Sequence, residues 1–134
     1  MWVDLFDTKD ERNAGPVNNL GGLQERLREF ARERDWEQFQ TPKNLSMALA
    51  VEAAELLQEF QWLEGGDSEA AKLPPEKLRA VGLEMADILL YLVRLADRLK
   101  LDLLALAADK LEINQQRYPA DKVRGSARKY NEYD

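Results

Sequence analysis

Two pairs of acids stand at helical spacing, Glu52-Ala-Ala-Glu55 and Glu84-Met-Ala-Asp87, with 28 residues between them. Residues three apart on a helix point the same way, so each pair is a two-pronged carboxylate. Spacing alone says little in a chain with 25 acids, and Asp4/Asp7, Glu64/Asp67 and Asp109/Glu112 share it. The neighbours set the two pairs apart. Glu52 shares its face with Ala48, Leu49 and Leu56, Glu84 with Ala80, Val81 and Ile88, and Asp87 with Leu83, Leu90 and Tyr91. No Lys or Arg stands three or four residues from any of the four acids. Burial of an uncompensated carboxylate is costly, and protonation or a cation is the usual relief. If the two helices pack together, four acids converge and repel one another unless a divalent ion joins them. Oxygen-only ligands select Mg²⁺, with Mn²⁺ as a substitute, over zinc or copper. The competing reading is that these acids edge a solvated groove and do no chemistry.

Composition narrows the alternatives. The 134 residues contain no cysteine and no histidine, and 25 acids stand against 19 bases for a net charge of −6. Disulfides, thiolate zinc sites, iron–sulfur clusters and cysteine nucleophiles are excluded. So are the Ser-His-Asp triad, an imidazole base and the Glu-x-x-His di-iron motif. The acidic balance argues against nucleic acid as a partner. No apolar run approaches a membrane span, and the start, Met-Trp-Val-Asp-Leu-Phe-Asp, lacks the basic and apolar regions of a secretory signal. A soluble, cytoplasmic protein is the expectation.

The elements that must position these acids are helices. Few β-branched residues and no sustained alternation leave little room for strands, so the expected class is all-α. A first helix is predicted over 21–35, with Leu23, Leu27, Phe30 and Ala31 on its dry face and residues 36–40 as a connection. Thr41 caps a second helix with Pro42 at its first position, running to about Trp62. Residues 65–72 form a loop, and Pro74-Pro75 opens a third helix reaching Leu99 on Leu78, Val81, Met85, Ile88, Leu89, Leu92, Leu95 and Ala96. Asp102 caps a fourth helix ending near Arg117, before Pro119. Helices two and three are apolar on almost every side (Leu45, Met47, Leu49, Val51, Leu56, Leu57 and Phe60 in the former), more than four helices enclose. The expected architecture is therefore a four-helix bundle per subunit, completed by homo-oligomerisation. Residues 1–19 read as an acidic segment with Trp2 and Phe6 as anchors, 20–119 as the helical domain, and 120–134 as a polar tail or an arm over the active site.

From about Leu27 to Tyr130 the chain resembles the MazG-type all-α nucleoside triphosphate pyrophosphohydrolases, most closely their dCTP pyrophosphatase branch. The matching stretches are Phe30-Ala-Arg-Glu-Arg-Asp-Trp36-Glu-Gln-Phe39, Pro42-Lys-Asn-Leu45, the two acid pairs, Phe60-Gln-Trp62, Tyr91, Lys110-x-x-x-Asn114-x-x-Arg117-Tyr-Pro119 and Ser126-Ala-Arg-Lys-Tyr130. The resemblance implies Mg²⁺ held by Glu52, Glu55, Glu84 and Asp87. It implies cleavage of a nucleoside triphosphate between the α and β phosphates, and assembly as dimers or tetramers. Such chemistry needs no histidine, because a metal can acidify water and a carboxylate can take its proton. Glu55 is assigned as the residue that orients or deprotonates the water.

Lys110, Asn114 and Arg117 are assigned to sugar or phosphate, with Arg128 and Lys129 of the tail as further phosphate contacts. Trp36, Phe39, Trp62 and Tyr91 are candidate stacking faces for the base, although aromatics near helix ends most often serve packing. The resemblance places histidine directly after Phe39, where this chain has Gln40. An amide donates and accepts, so Gln40 still reads a base edge, but with a different pattern. The expected substrate is dCTP or a modified dCTP. Two alternatives stand beside this reading: a catalytically silent nucleotide-binding or regulatory protein, and a helical interaction module whose acids are surface charge.

Overall fold

The computed structural model describes residues 17–132, so the expected segment 1–19, with Trp2 and Phe6, lies almost wholly outside the described residues. Within them the chain is all-helical, with no strand. Four long helices form: α1 (Leu20–Glu33), α2 (Pro42–Phe60), α3 (Pro75–Arg98) and α4 (Leu103–Arg117). A one-turn α5 (Ala120–Val123) and 3-10 turns at Glu37–Phe39, Gly65–Ser68, Ala70–Lys72 and Tyr130–Glu132 lie between or beyond them. Among the described residues the α-helix count is thus five, because Pro119 stops α4 and opens a further turn within the stretch read as a plain tail. None of these helices is long and apolar enough to cross a membrane.

The helix starts follow local chemistry. The Thr41 hydroxyl accepts from the Asn44 amide at 3.2 Å, and Asp102 accepts from the Ala105 amide at 3.0 Å, so both expected caps form. Asn19 caps α1 in the same way, at 2.7 Å from the Gly22 amide. Helix α1 ends in a Schellman turn: Asp35 takes φ 53°, and the Trp36 and Asp35 amides donate to the Ala31 and Arg32 carbonyls. That turn sets the direction in which the Trp36–Gln40 connection leaves the helix.

The described residues divide into two compact units, one ending at Lys100 and the other beginning at Leu101. In the first, α2 packs chiefly on α3, and α1 packs on α3 as well. Lys77 of α3 pairs with Glu59 of α2, whereas Glu84 meets Glu52 and Glu55, so the two helices run antiparallel. The core comprises Leu27 and Ala31 of α1, Leu45 of α2, and Val81, Tyr91, Val93 and Ala96 of α3. As expected of two helices with more apolar surface than four helices enclose, part of that surface is left over. Met47, Val51 and Leu57 of α2 and Leu78, Met85 and Leu89 of α3 are exposed in the single chain. Within this unit, among the described residues, α1 is the one further long helix.

A polar cluster ties α1 to α3. Asp97 accepts from Gln24 Nε2 at 2.7 Å, from Arg28 Nε at 2.8 Å and from a terminal nitrogen of Arg94 at 3.1 Å. Two guanidinium groups hold the Asp97 carboxyl below the usual carboxylate range, the Arg28 hydrogen bond contributing most. The second unit is α4, α5 and the last turn. There Tyr130 packs edge-on against Tyr118 with ring centroids 6.2 Å apart, and the Arg117 guanidinium lies 4.8 Å from the Tyr130 ring centre.

Candidate active site

The antiparallel α2–α3 pair brings the two acid motifs face to face. Each of Glu52, Glu55 and Glu84 offers a carboxylate oxygen within 4.8 Å of the others. Glu52 is only 3% exposed, while Glu55, Glu84 and Asp87 are half-buried. Asp87 stands one turn along α3 from Glu84, outside that tight trio but within reach of the Glu55 charge.

The electrostatics are those of crowded, buried or half-buried like charges. Burial, reinforced by Glu55, Asp87 and Glu84, pushes the Glu52 carboxyl up to about 7. Burial and the Glu55 charge raise Glu84 and Asp87 in the same direction. Among the described residues, the buried side-chain polar atoms without a hydrogen-bond partner are Glu52 Oε2 and Glu84 Oε2. Two orphaned carboxylate oxygens among like charges are what a hard divalent cation would satisfy, and the all-oxygen donor set suits Mg²⁺. The residues present therefore fit a divalent metal ion. Tyr91 lies beside the cluster, and burial together with the Glu52, Asp87 and Glu55 charges raises its hydroxyl.

The remaining expected residues are distributed as follows. Trp62 is 88% exposed just past α2, and Phe39 is 62% exposed in the turn before it. Trp36 sits edge-on to Phe30 at 5.7 Å, with part of its ring open. Tyr91 is 6% exposed, so its ring is packed within this chain, the common fate of an aromatic on a helix. Gln40 is also buried, at 8%, and its Oε1 accepts from Arg94 Nε at 2.7 Å. In the second unit Lys110, Asn114 and Arg117 fall along one side of α4, with Lys110 and Arg117 exposed and Asn114 half-buried. Arg128 and Lys129 are exposed in the final stretch, where the Lys129 amide donates to Glu132 at 3.0 Å.

Arg94 and its acceptor Asp97 were missed by the sequence reading, as was the pairing of Arg94 with Gln40. The available signal was a single arginine inside the apolar run Ile88-Leu-Leu-Tyr-Leu-Val-Arg94-Leu-Ala96, with an acid three residues on. A base at a core position, 5% exposed here, needs buried partners, and Asp97 and Gln40 provide them.

Known proteins resemble this chain. Residues 47–133 match the model of the MazG-like family. Human dCTP pyrophosphatase 1 is 43% identical over 117 residues, 87% of this chain and 69% of that protein. The rat protein of the same name is 40% identical over 129 residues, 92% of this chain and 76% of its own length. A crystal structure of a pyrophosphatase from Archaeoglobus fulgidus superposes with a TM-score of 0.70 at 34% identity, covering 81% of this chain and 99% of the other. The family model spans both acid pairs, and the relatives extend the likeness through the Phe39–Gln40 turn. The chain belongs to the MazG-like family and is an all-α nucleotide pyrophosphohydrolase.

Proposed function

We propose that this chain is a Mg²⁺-dependent hydrolase that cleaves dCTP, or a modified dCTP, between the α and β phosphates to give the monophosphate and pyrophosphate. The carrying observation is the convergence of Glu52, Glu55 and Glu84, with one buried oxygen each on Glu52 and Glu84 that no donor among the described residues satisfies. The name of the mammalian relatives supports the cytosine nucleotide. Glu52, Glu55, Glu84 and Asp87 hold the metal, which when bound supplies positive charge for the phosphate oxygens and acidifies water. Glu55, more open than Glu52, orients the attacking water and takes its proton on a carboxylate oxygen. Lys110, Asn114, Arg117, Arg128 and Lys129 neutralise and orient the sugar and triphosphate. Trp36, Phe39 and Trp62 supply ring faces for the base, Gln40 a hydrogen bond to its edge, and Tyr91 packs behind the acids. Incubation with each dNTP and Mg²⁺, with products separated by ion exchange, is expected to show dCMP and pyrophosphate. Orthophosphate with the diphosphate would overturn the assigned bond.

The same reading includes a homo-oligomer, supported by the apolar residues that α2 and α3 leave uncovered. Met47, Val51, Leu57, Leu83, Met85 and Leu89 are more than scattered surface hydrophobes, since they lie on two paired helices. Sedimentation equilibrium is expected to give a dimer or a tetramer. A monomer at micromolar concentration would reject this part of the reading.

A further inference from the structure

The open question about the substrate is how Gln40 reads a base, and the structure bears on it through Arg94. An amide side chain is nearly symmetric in shape, so its two ends are distinguished only by their partners. Here Arg94 Nε donates to Gln40 Oε1 at 2.7 Å inside the protein. Turning the amide over would set its NH₂ against a guanidinium N–H, donor against donor. Arg94 itself is held: it is 5% exposed and bonds Asp97, which Gln24 and Arg28 grip from α1. The Gln40 Nε2 has no hydrogen bond to any described residue, and Gln40 directly follows the exposed ring of Phe39.

We propose that Arg94 is a positioning residue for base selection: it locks Gln40 so that the amide presents a donor, which selects a base carrying an acceptor ring nitrogen at N3. Cytosine has an unprotonated N3, whereas uracil and thymine carry N3–H and would meet the locked donor with another donor. This inference rests on the reading of the chain as a dCTP hydrolase and adds the source of its discrimination. A buried donor opposed by a donor loses its own hydrogen bond as well as the ligand's, which is why such sites discriminate strongly.

The test is to measure kcat and KM for dCTP and dUTP with Mg²⁺, together with melting temperature, in the wild type and three variants. Gln40→Glu keeps an oxygen for Arg94 and turns the free end from donor to acceptor. Its melting temperature is expected to hold, while the dCTP-to-dUTP ratio of kcat/KM falls by at least about tenfold, mainly through KM. Arg94→Met frees the amide to turn over, leaves Asp97 with Arg28 and Gln24, and is expected to bring the ratio toward unity. Arg94→Lys, which retains a donor, is expected to recover part of the preference. Unchanged ratios in Gln40→Glu and Arg94→Met, with the wild type still cleaving dCTP, would make the pair a structural tie only and leave the hydrolase reading intact. A wild type that cleaves no dNTP would overturn both.

Discussion

Glu84→Gln is expected to lower kcat/KM for dCTP by about a thousandfold while raising the melting temperature of the metal-free protein. The first effect follows from the loss of an anionic ligand where metal charge stabilisation is worth several kcal/mol, or roughly three powers of ten in rate. The second follows from the cost of the site without its ion. Glu84 Oε2 is buried without a donor, and burial and Glu55 both oppose its ionisation. A glutamine there carries no charge, and its NH₂ can donate to Glu52 or Glu55 instead of repelling them. Replacing a repelled, buried charge by a hydrogen-bonded neutral group is worth about 1 kcal/mol of stability, a shift of about 3–5 °C for a domain of this size. Opposite signs for activity and stability distinguish a ligand from a residue that merely packs. Activity within tenfold of wild type would remove Glu84 from the metal set, and a lowered melting temperature would show that its charge is already compensated.

Much of this site was legible because it depends on period and on absence. Glu52, Glu55 and Glu84 meet because a spacing of three on two antiparallel helices permits it, and the lack of nearby Lys or Arg leaves them uncompensated. The caps at Thr41 and Asp102 were equally readable, being decided within four residues. What stayed hidden was non-local. Gln40 and Arg94 lie 54 residues apart in sequence and become partners only through the α2–α3 pairing. Which apolar residues stay exposed, Met85 and Leu57 among them, was hidden too, since periodicity identifies an apolar side but not what covers it. The turn at Ala120–Val123 escaped because one turn is too short to show a period.

The metal-free protein is expected to lose stability as pH rises from about 4.5 to about 7, and Mg²⁺ is expected to abolish that loss. The Glu52 carboxyl moves from 4.5 in the unfolded chain to about 7 in the fold. Across that window the folded state binds the extra proton, so stability falls with rising pH and levels off above it. A displacement of this size corresponds to about 3 kcal/mol, with Glu84 and Asp87 acting in the same sense. Asp97 acts in the opposite sense, because its carboxyl is held low. Its contribution disappears only as pH falls below about 4, beneath the Glu52 window, so the two effects separate on the pH axis. A divalent ion binds the deprotonated cluster and competes with the protons, so its stabilisation grows with pH. At a hundredfold excess over its dissociation constant the gain is about 2.7 kcal/mol, or roughly 10 °C in melting temperature. Thermal melts at pH 5 and pH 8, with EDTA and with Mg²⁺, measure all four corners. The expected result is a large Mg²⁺ shift at pH 8 and a small one at pH 5. Equal shifts at both pH values, or none at either, would mean that the acids on α2 and α3 are surface charge and not a metal site.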